Sequence, residues 1–392
     1  MKFKTNYPFV MVHGMLGFGK GVMLNDYLLP YWGMLSGDLT AYLKGEGFEV
    51  YNPGVGPVSS AWDRACELYA QLVGGTVDYG KAHSEKYGHK RFGRTYSKPV
   101  FEGWGAQKKV NLVGHSHGAA TIRLLATLMT QGNAQEVEVT PKDEISPLFT
   151  GGKADWIYSI TTMAGVHEGT TLMYSFKKPV DTIEKMTTYI ANFTGGTLAK
   201  FWDFQMEQWN LNGFEDGKST KSPINKDIQK DVIASKDTVY YDVSLMGAKE
   251  VNEKIECVDS IYYFSFPCRK TSQKFFTKER QETPMLSMHC CFRPFSKSMG
   301  KYKENTFNDI KIDERWLAND GCVPTFSSRA PLKEPSIDVY DAKGKYQKGI
   351  WHIYDDTLLD HLQIVGGFLP RTKPVQLRKI YRDHFRLING LK

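Results

Sequence analysis

Val110-Asn111-Leu112-Val113-Gly114-His115-Ser116-His117-Gly118-Ala119, continuing to Met129, decides how this chain is read: an apolar run, a serine between two glycines, and a helix-like run follow one another directly. A strand that reverses into a helix within one or two residues forces the central residue into a strained conformation. It leaves no room for side chains at the two glycine positions. Gly114 and Gly118 meet that demand, and the hydroxyl of Ser116 is then held up into a cleft. So short a pattern also describes an ordinary Gly-rich loop; the strand before and the helix after make Ser116 a candidate nucleophile.

Outward from this turn, short apolar runs recur between helical stretches at Phe9 to Val12, Phe48 to Tyr51, Ile157 to Met163 and Ile261 to Phe266. The alternation predicts an α/β fold with a mostly parallel sheet covered by helices, and functional groups at the carboxyl ends of its strands. The first run ends in His13-Gly14-Met15-Leu16-Gly17-Phe18-Gly19, a loop able to turn N–H groups toward the same cleft. The backbone N–H groups of Met15 and His117 are the candidate oxyanion hole, where one side-chain donor is worth roughly 3–4 kcal/mol.

A serine hydroxyl is a poor nucleophile at neutral pH and needs an imidazole to take its proton, steadied by a carboxylate. In the order nucleophile, acid, base that α/β-hydrolases use, Asp320 in Asn319-Asp320-Gly321-Cys322-Val323-Pro324 and His361 in Asp360-His361-Leu362 are the best placed pair. Taken singly, Asp320 reads as a turn aspartate and His361 as a surface or helix-start histidine. Asp360 ranks lower as the acid because adjacent side chains rarely point at one another, and Asp355 and Asp356 rank lower still. His115 and His117 cannot easily bring a ring nitrogen onto the serine they flank; they are expected to pack beneath the turn and line the cleft rim.

The 392 residues, 41% apolar and 13% aromatic, can bury a sizeable core. The formal charge of +7 reads as spread along the chain with no dense basic block, which favours solubility over a nucleic-acid partner. No run of about 18 uncharged apolar residues is present, so no membrane span is expected, and Met1 to Val10 lacks the apolar region of a signal peptide. Six cysteines are too few for a disulfide scaffold, and Cys257 and Cys268, flanking a strand-like segment, are expected not to be bonded to each other.

Two stretches depart from the repeat. Trp62 to Val100, rich in glycine and charge without sustained periodicity, reads as an insertion. Val180 to Trp209 carries Val180, Ile183, Met186, Ile190 and Phe193 at helical spacing, either core or a mobile cover over the cleft. Val375 to Leu391 reads as a closing amphipathic helix. Within the insertion, Asp63, His83 and His89 offer a carboxylate and two imidazoles, more often solvated than not. A long insertion without its own core is nevertheless a segment that needs a staple, and oxygen and nitrogen ligands suit a structural zinc. Spacing alone does not identify a fourth ligand.

The chain resembles the zinc-containing bacterial lipases of the thermoalkalophilic type, members of the α/β-hydrolase fold. The likeness is densest over Val55 to Glu67, Tyr69 to Gly80 and Gly88 to Tyr96, and extends through Ser146 to Phe149, His167 to Leu172, Asn319 to Gly321 and Asp360 to Leu362. It implies one domain over 1–392, a zinc-binding insertion over 62–100 closed by Asp237, and a helical lid over 172–235. The family's serine, acid and base fall on Ser116, Asp320 and His361. The implied activity is hydrolysis of acylglycerols or other carboxylic esters at a lipid interface, without stable membrane insertion, by an exported protein. Where relatives hold calcium beside the catalytic histidine through carboxylates, this chain has Gln363 and Phe368, so calcium is not expected. The competing expectations are a hydrolase in which zinc activates water, and a non-catalytic lipid-binding protein.

Overall fold

A computed structural model of the chain describes residues 4–20, 30–175, 205–209, 234–303, 306–307, 310–367 and 374–391. The helical stripe from Val180 to Phe193, and Phe368, lie outside the described residues.

Seven strands form the central sheet: β1 (Phe9–Val12), β2 (Val50–Tyr51), β5 (Val110–His115), β6 (Ile157–Met163), β7 (Tyr262–Phe266), β8 (Ser336–Asp338) and β9 (Trp351–Ile353). Their order is β8-β9-β7-β6-β5-β1-β2, and every neighbouring pair is parallel. β1, β5 and β6 are buried at every position, as a parallel sheet covered on both faces requires. Because side chains alternate along a strand, Phe9 and Met11 join one core and Val10 and Val12 the other. The first core lies under helix α1 (Leu39–Gly45) and the C-terminal helix (Pro374–Gly390), whose Phe385 stacks on Phe9 with ring centroids 3.7 Å apart. The second lies under α2 (Ala61–Val73) and α4 (Gly118–Gln131).

From β1 the chain runs outward to β2, then returns across the sheet to β5 and builds the other half. The crevice beyond the carboxyl ends of β1 and β5 is therefore the switch point where such sheets bind ligands. The loop from His13 and the turn at Ser116 both open there.

The stretch read as an insertion from Trp62 opens with α2, which is buried at every position except Trp62 and Val73. Its polar residues Asp63, Arg64, Glu67 and Gln71 do recur at helical spacing, although that face is buried as well; the glycine-rich, charged residues that follow masked the helix in the sequence. The rest of that stretch is a two-stranded antiparallel ribbon, β3 (Gly75–Asp78) and β4 (Phe92–Tyr96), with helix α3 (Lys81–Tyr87) between its strands. Cys257 and Cys268 are both free thiols.

Candidate active site and metal centre

Ser116 has φ of +55°, the left-handed conformation forced by the strand-to-helix reversal. A Cβ on Gly114 would come within 2.5 Å of the Gly118 carbonyl oxygen, and one on Gly118 within 2.5 Å of the Val12 carbonyl oxygen. Both glycines are therefore dictated by backbone approaching backbone.

Ser116 Oγ lies 2.9 Å from His361 Nε2, and His361 Nδ1 lies 2.8 Å from Asp320 Oδ2. Facing a carboxylate, Nδ1 is the donor, which leaves Nε2 free to accept the serine proton. Asp320 is fully buried, and its other oxygen accepts from the N–H groups of Cys322 and Val323 at 2.9 and 2.8 Å. The His361 N–H donates to the Asp320 carbonyl at 3.0 Å, so the two loops are also joined through backbone. Asp360 is occupied elsewhere, accepting from the N–H groups of His289, Leu362 and Gln363. Asp356 pairs with Arg329. Gln363 bridges the Asp360 N–H, which donates to its Oε1, and the Ser287 carbonyl, which accepts from its Nε2. Among the described residues, no group accepts from the N–H of Met15 or His117.

His115 and His117 are both buried rather than at a rim. His115 Nε2 donates to the His361 carbonyl at 2.8 Å, and the Tyr31 hydroxyl donates to His115 Nδ1 at 2.6 Å while accepting from the Gly14 N–H at 3.1 Å. Burial, then the neighbouring His361, hold His115 well below the usual histidine range, so it is neutral as this relay requires. Arg64, buried under the turn, donates to the His13 carbonyl and reaches the Gly14 carbonyl and His117 Nδ1 at 3.4 Å. His117 Nε2 in turn donates to Asp242 Oδ2 at 3.1 Å, and the same oxygen accepts from the Ala61 N–H at 2.6 Å. Tyr31, Arg64 and Asp242 were invisible as site residues in the sequence, although Arg64 is the neighbour of Asp63.

Tyr31→Phe would strand the Gly14 N–H inside the protein, and leaving such a donor unsatisfied costs about 1–3 kcal/mol. A lower urea midpoint with an unchanged slope is expected, together with slower turnover because Gly14 precedes Met15. An unchanged midpoint would rule the relay out as a structural link.

The second constellation is Asp63, His83, His89 and Asp237, whose ligand atoms all lie within 4.8 Å of one another. Asp63 is on the first turn of α2, His83 is on α3, and Gly88, with φ of +74°, makes the turn that brings His89 back beside His83. Asp63 Oδ1, His83 Nε2, His89 Nε2 and Asp237 Oδ2 are buried without a hydrogen-bond partner. Four orphaned, converging ligand atoms are costly unless a cation satisfies them. The His83–Asp63, His83–Asp237 and His89–Asp237 separations are each 3.2 Å, and His89–Asp63 is 3.9 Å. A tetrahedron with arms of about 2.0 Å has edges of about 3.3 Å, so the donor set fits a four-coordinate cation. Surrounding groups aim the ligands: His89 Nδ1 donates to the Lys90 carbonyl, Gln208 Nε2 donates to Asp63 Oδ2 at 2.8 Å, and the His83 ring stacks on Trp62.

The profile of the family described as "Lipase-like, C-terminal domain" matches residues 5–386. A lipase of Staphylococcus epidermidis is 33% identical over 378 residues, 95% of this chain and 52% of its own length. The chain thus spans about half the length of the curated relatives it matches. The structure of EstA from Clostridium botulinum superposes with a TM-score of 0.88 at 34% identity, covering 100% of this chain and 88% of that one. The crystal structure of Staphylococcus hyicus lipase superposes with a TM-score of 0.78 at 31% identity, covering 98% and 96%.

Proposed function

The chain belongs to the bacterial lipase family of the thermoalkalophilic type, an α/β-hydrolase family, and from that premise we propose that it is a serine carboxylester hydrolase working through an acyl-enzyme. The observation that carries the reading is the continuous line of hydrogen bonds from Ser116 Oγ through His361 to Asp320. As Oγ attacks the ester carbonyl carbon, His361 Nε2 takes its proton and Asp320 steadies the imidazolium. The oxyanion is held by the N–H groups of Met15 and His117. His361 then returns the proton to the leaving alcohol, the acyl–oxygen bond to it breaks, and water repeats the sequence on the acyl-serine.

We assign zinc to Asp63, His83, His89 and Asp237. Two carboxylates and two imidazoles form a neutral set with it, and four protein ligands fill its coordination, so it would brace the fold without activating water. This arrangement favours the serine mechanism over a hydrolase in which zinc generates the nucleophile. Calcium beside His361 is not part of the proposal, since Gln363 offers a neutral amide there. The proposed substrates are acylglycerols and related esters met at a lipid surface, with residues 172–235 as the proposed lid. Among the described residues no helix is long and apolar enough to cross a membrane. Action outside the cell is proposed on family likeness alone.

A serine-directed phosphonate is expected to label Ser116 stoichiometrically and abolish turnover of chromogenic esters. Labelling elsewhere, or turnover that survives labelling, would favour zinc-dependent hydrolysis. Rates on esters of graded acyl length, with and without an emulsion, then separate lipase from soluble esterase.

A further inference from the structure

The net charge is less evenly spread than the sequence suggested at first. Residues 269–303 hold nine Lys and Arg against two Glu, whereas the remainder of the chain carries 41 basic and 41 acidic residues. The whole formal excess of +7 therefore resides in one 35-residue segment. Lysines separated by apolar and small residues do not form a run, which is why a search for a basic block passes over them.

This segment contains an antiparallel hairpin, Thr271–Gln273 paired with Glu282–Pro284. Its tip carries two adjacent phenylalanines in the open: Phe275 is 76% exposed and Phe276 fully so. Phe276 has φ of +61°, a conformation a bulky residue rarely adopts. Lys274 and Lys278 flank the pair in sequence and are exposed, with no carboxylate among the described residues in ion-pair reach. The Lys270 N–H donates to the Asn319 carbonyl, and the Asn319 N–H to Thr271 Oγ1. The Arg269 N–H donates to the Thr357 carbonyl and Lys270 Nζ to the Leu358 carbonyl. The hairpin thus springs from the loops that carry Asp320 and His361. Beside its root Leu286 is 81% exposed and Leu358 58% exposed.

A single exposed apolar side chain is ordinary, but four of them on and around a hairpin whose tip carries two lysines without ion-pair partners among the described residues, rooted beside the candidate catalytic groups, call for an occupant. Cationic residues around protruding aromatic rings complement a surface that is anionic outside and apolar beneath. We propose that this hairpin docks the protein on an anionic lipid surface, Phe275 and Phe276 entering the acyl layer and Lys274 and Lys278 meeting the headgroups. Docking there brings the Ser116 crevice to the phase that holds its substrate, so the inference deepens the ester-hydrolase reading and rests on it for its purpose. A nucleic acid would satisfy the lysines but leave paired, protruding phenylalanines and leucines without an apolar phase.

The test is co-sedimentation of the full chain with vesicles of ether-linked phosphatidylcholine, with or without ether-linked phosphatidylglycerol. These lipids contain no carboxylic ester, so binding is read apart from hydrolysis. Binding is expected chiefly with phosphatidylglycerol present and should weaken as salt rises. The Phe275→Ser/Phe276→Ser variant should bind at least about tenfold more weakly, and Lys274→Glu/Lys278→Glu should lose the preference for anionic vesicles. Both should keep the parent rate on a soluble short-chain ester. Unchanged vesicle binding by the phenylalanine variant would overturn the docking site, as would capture of the parent by duplex DNA under conditions where vesicles are not bound. Vesicle binding lost as expected in a protein with no ester turnover would leave the docking site standing and remove the enzyme reading instead.

Discussion

Ser116→Ala is expected to lower kcat on a carboxylic ester by roughly six orders of magnitude, the scale seen when the nucleophile of a serine–histidine–aspartate unit is removed elsewhere. The three side chains lie in one line of hydrogen bonds at 2.9 and 2.8 Å, so each is useful only while the others are present. His361→Ala should therefore cost about as much as Ser116→Ala, and combining them should add little. The small activity left would come from the oxyanion donors and substrate binding. Alanine keeps the strained backbone at position 116 and loses only one hydroxyl contact, so the denaturation midpoint should shift by no more than about 0.5–1.5 kcal/mol equivalent. Single-turnover assays checked for trace contamination decide the matter. Ester hydrolysis near the parental rate in the alanine protein would remove Ser116 from the mechanism.

The second large effect is expected at the proposed zinc site. Elemental analysis of the purified protein should find one zinc per chain, and His83→Ala should abolish it. Without the imidazole, Asp63 and Asp237 are left facing one another in a buried space with His89 as the one remaining imidazole between them, which is why the loss should exceed that of a single contact. Structural zinc in small peptides contributes roughly 10–16 kcal/mol, an upper bound for a chain that also has a large core. A fall of several kcal/mol in unfolding free energy, reproduced in the parent by a strong chelator and reversed by added zinc, is the expected pattern. A parent protein that contains no zinc, and whose unfolding ignores both chelator and zinc, would defeat the assignment.

How much of this was legible in the sequence depended on how local each signal is. The turn at Ser116 is specified by residues in contact with their own neighbours, and the glycines are required by backbone alone, so the motif could be read directly. Asp320 and His361 were reachable because chain order limits the choices. Strands β8 and β9 were not: each is three residues long and owes its existence to pairing with β7 and with each other rather than to any pattern of its own. Helix α2 was missed although Asp63, Arg64, Glu67 and Gln71 recur in it at helical spacing, because it was read together with the aperiodic, glycine-rich residues after it as one insertion. The Tyr31–His115 relay and the Arg64–His117–Asp242 chain join residues far apart in sequence by single hydrogen bonds, which leave no trace in spacing. The cover expected over 172–235 falls mostly outside the described residues, and the helical stripe from Val180 to Phe193 lies wholly outside them.

Asp63 and Arg64 are consecutive on α2, and successive residues of a helix point about 100° apart. One therefore faces His83 in the candidate metal centre while the other grips the carbonyls of His13 and Gly14, immediately before Met15. On the zinc and oxyanion assignments proposed above, heat tolerance and catalytic tempo would be geared to the same turn of helix. An engineer who stiffens that turn to raise the melting point should find the speed of the enzyme changing with it, and would do better to seek durability on the far side of the sheet.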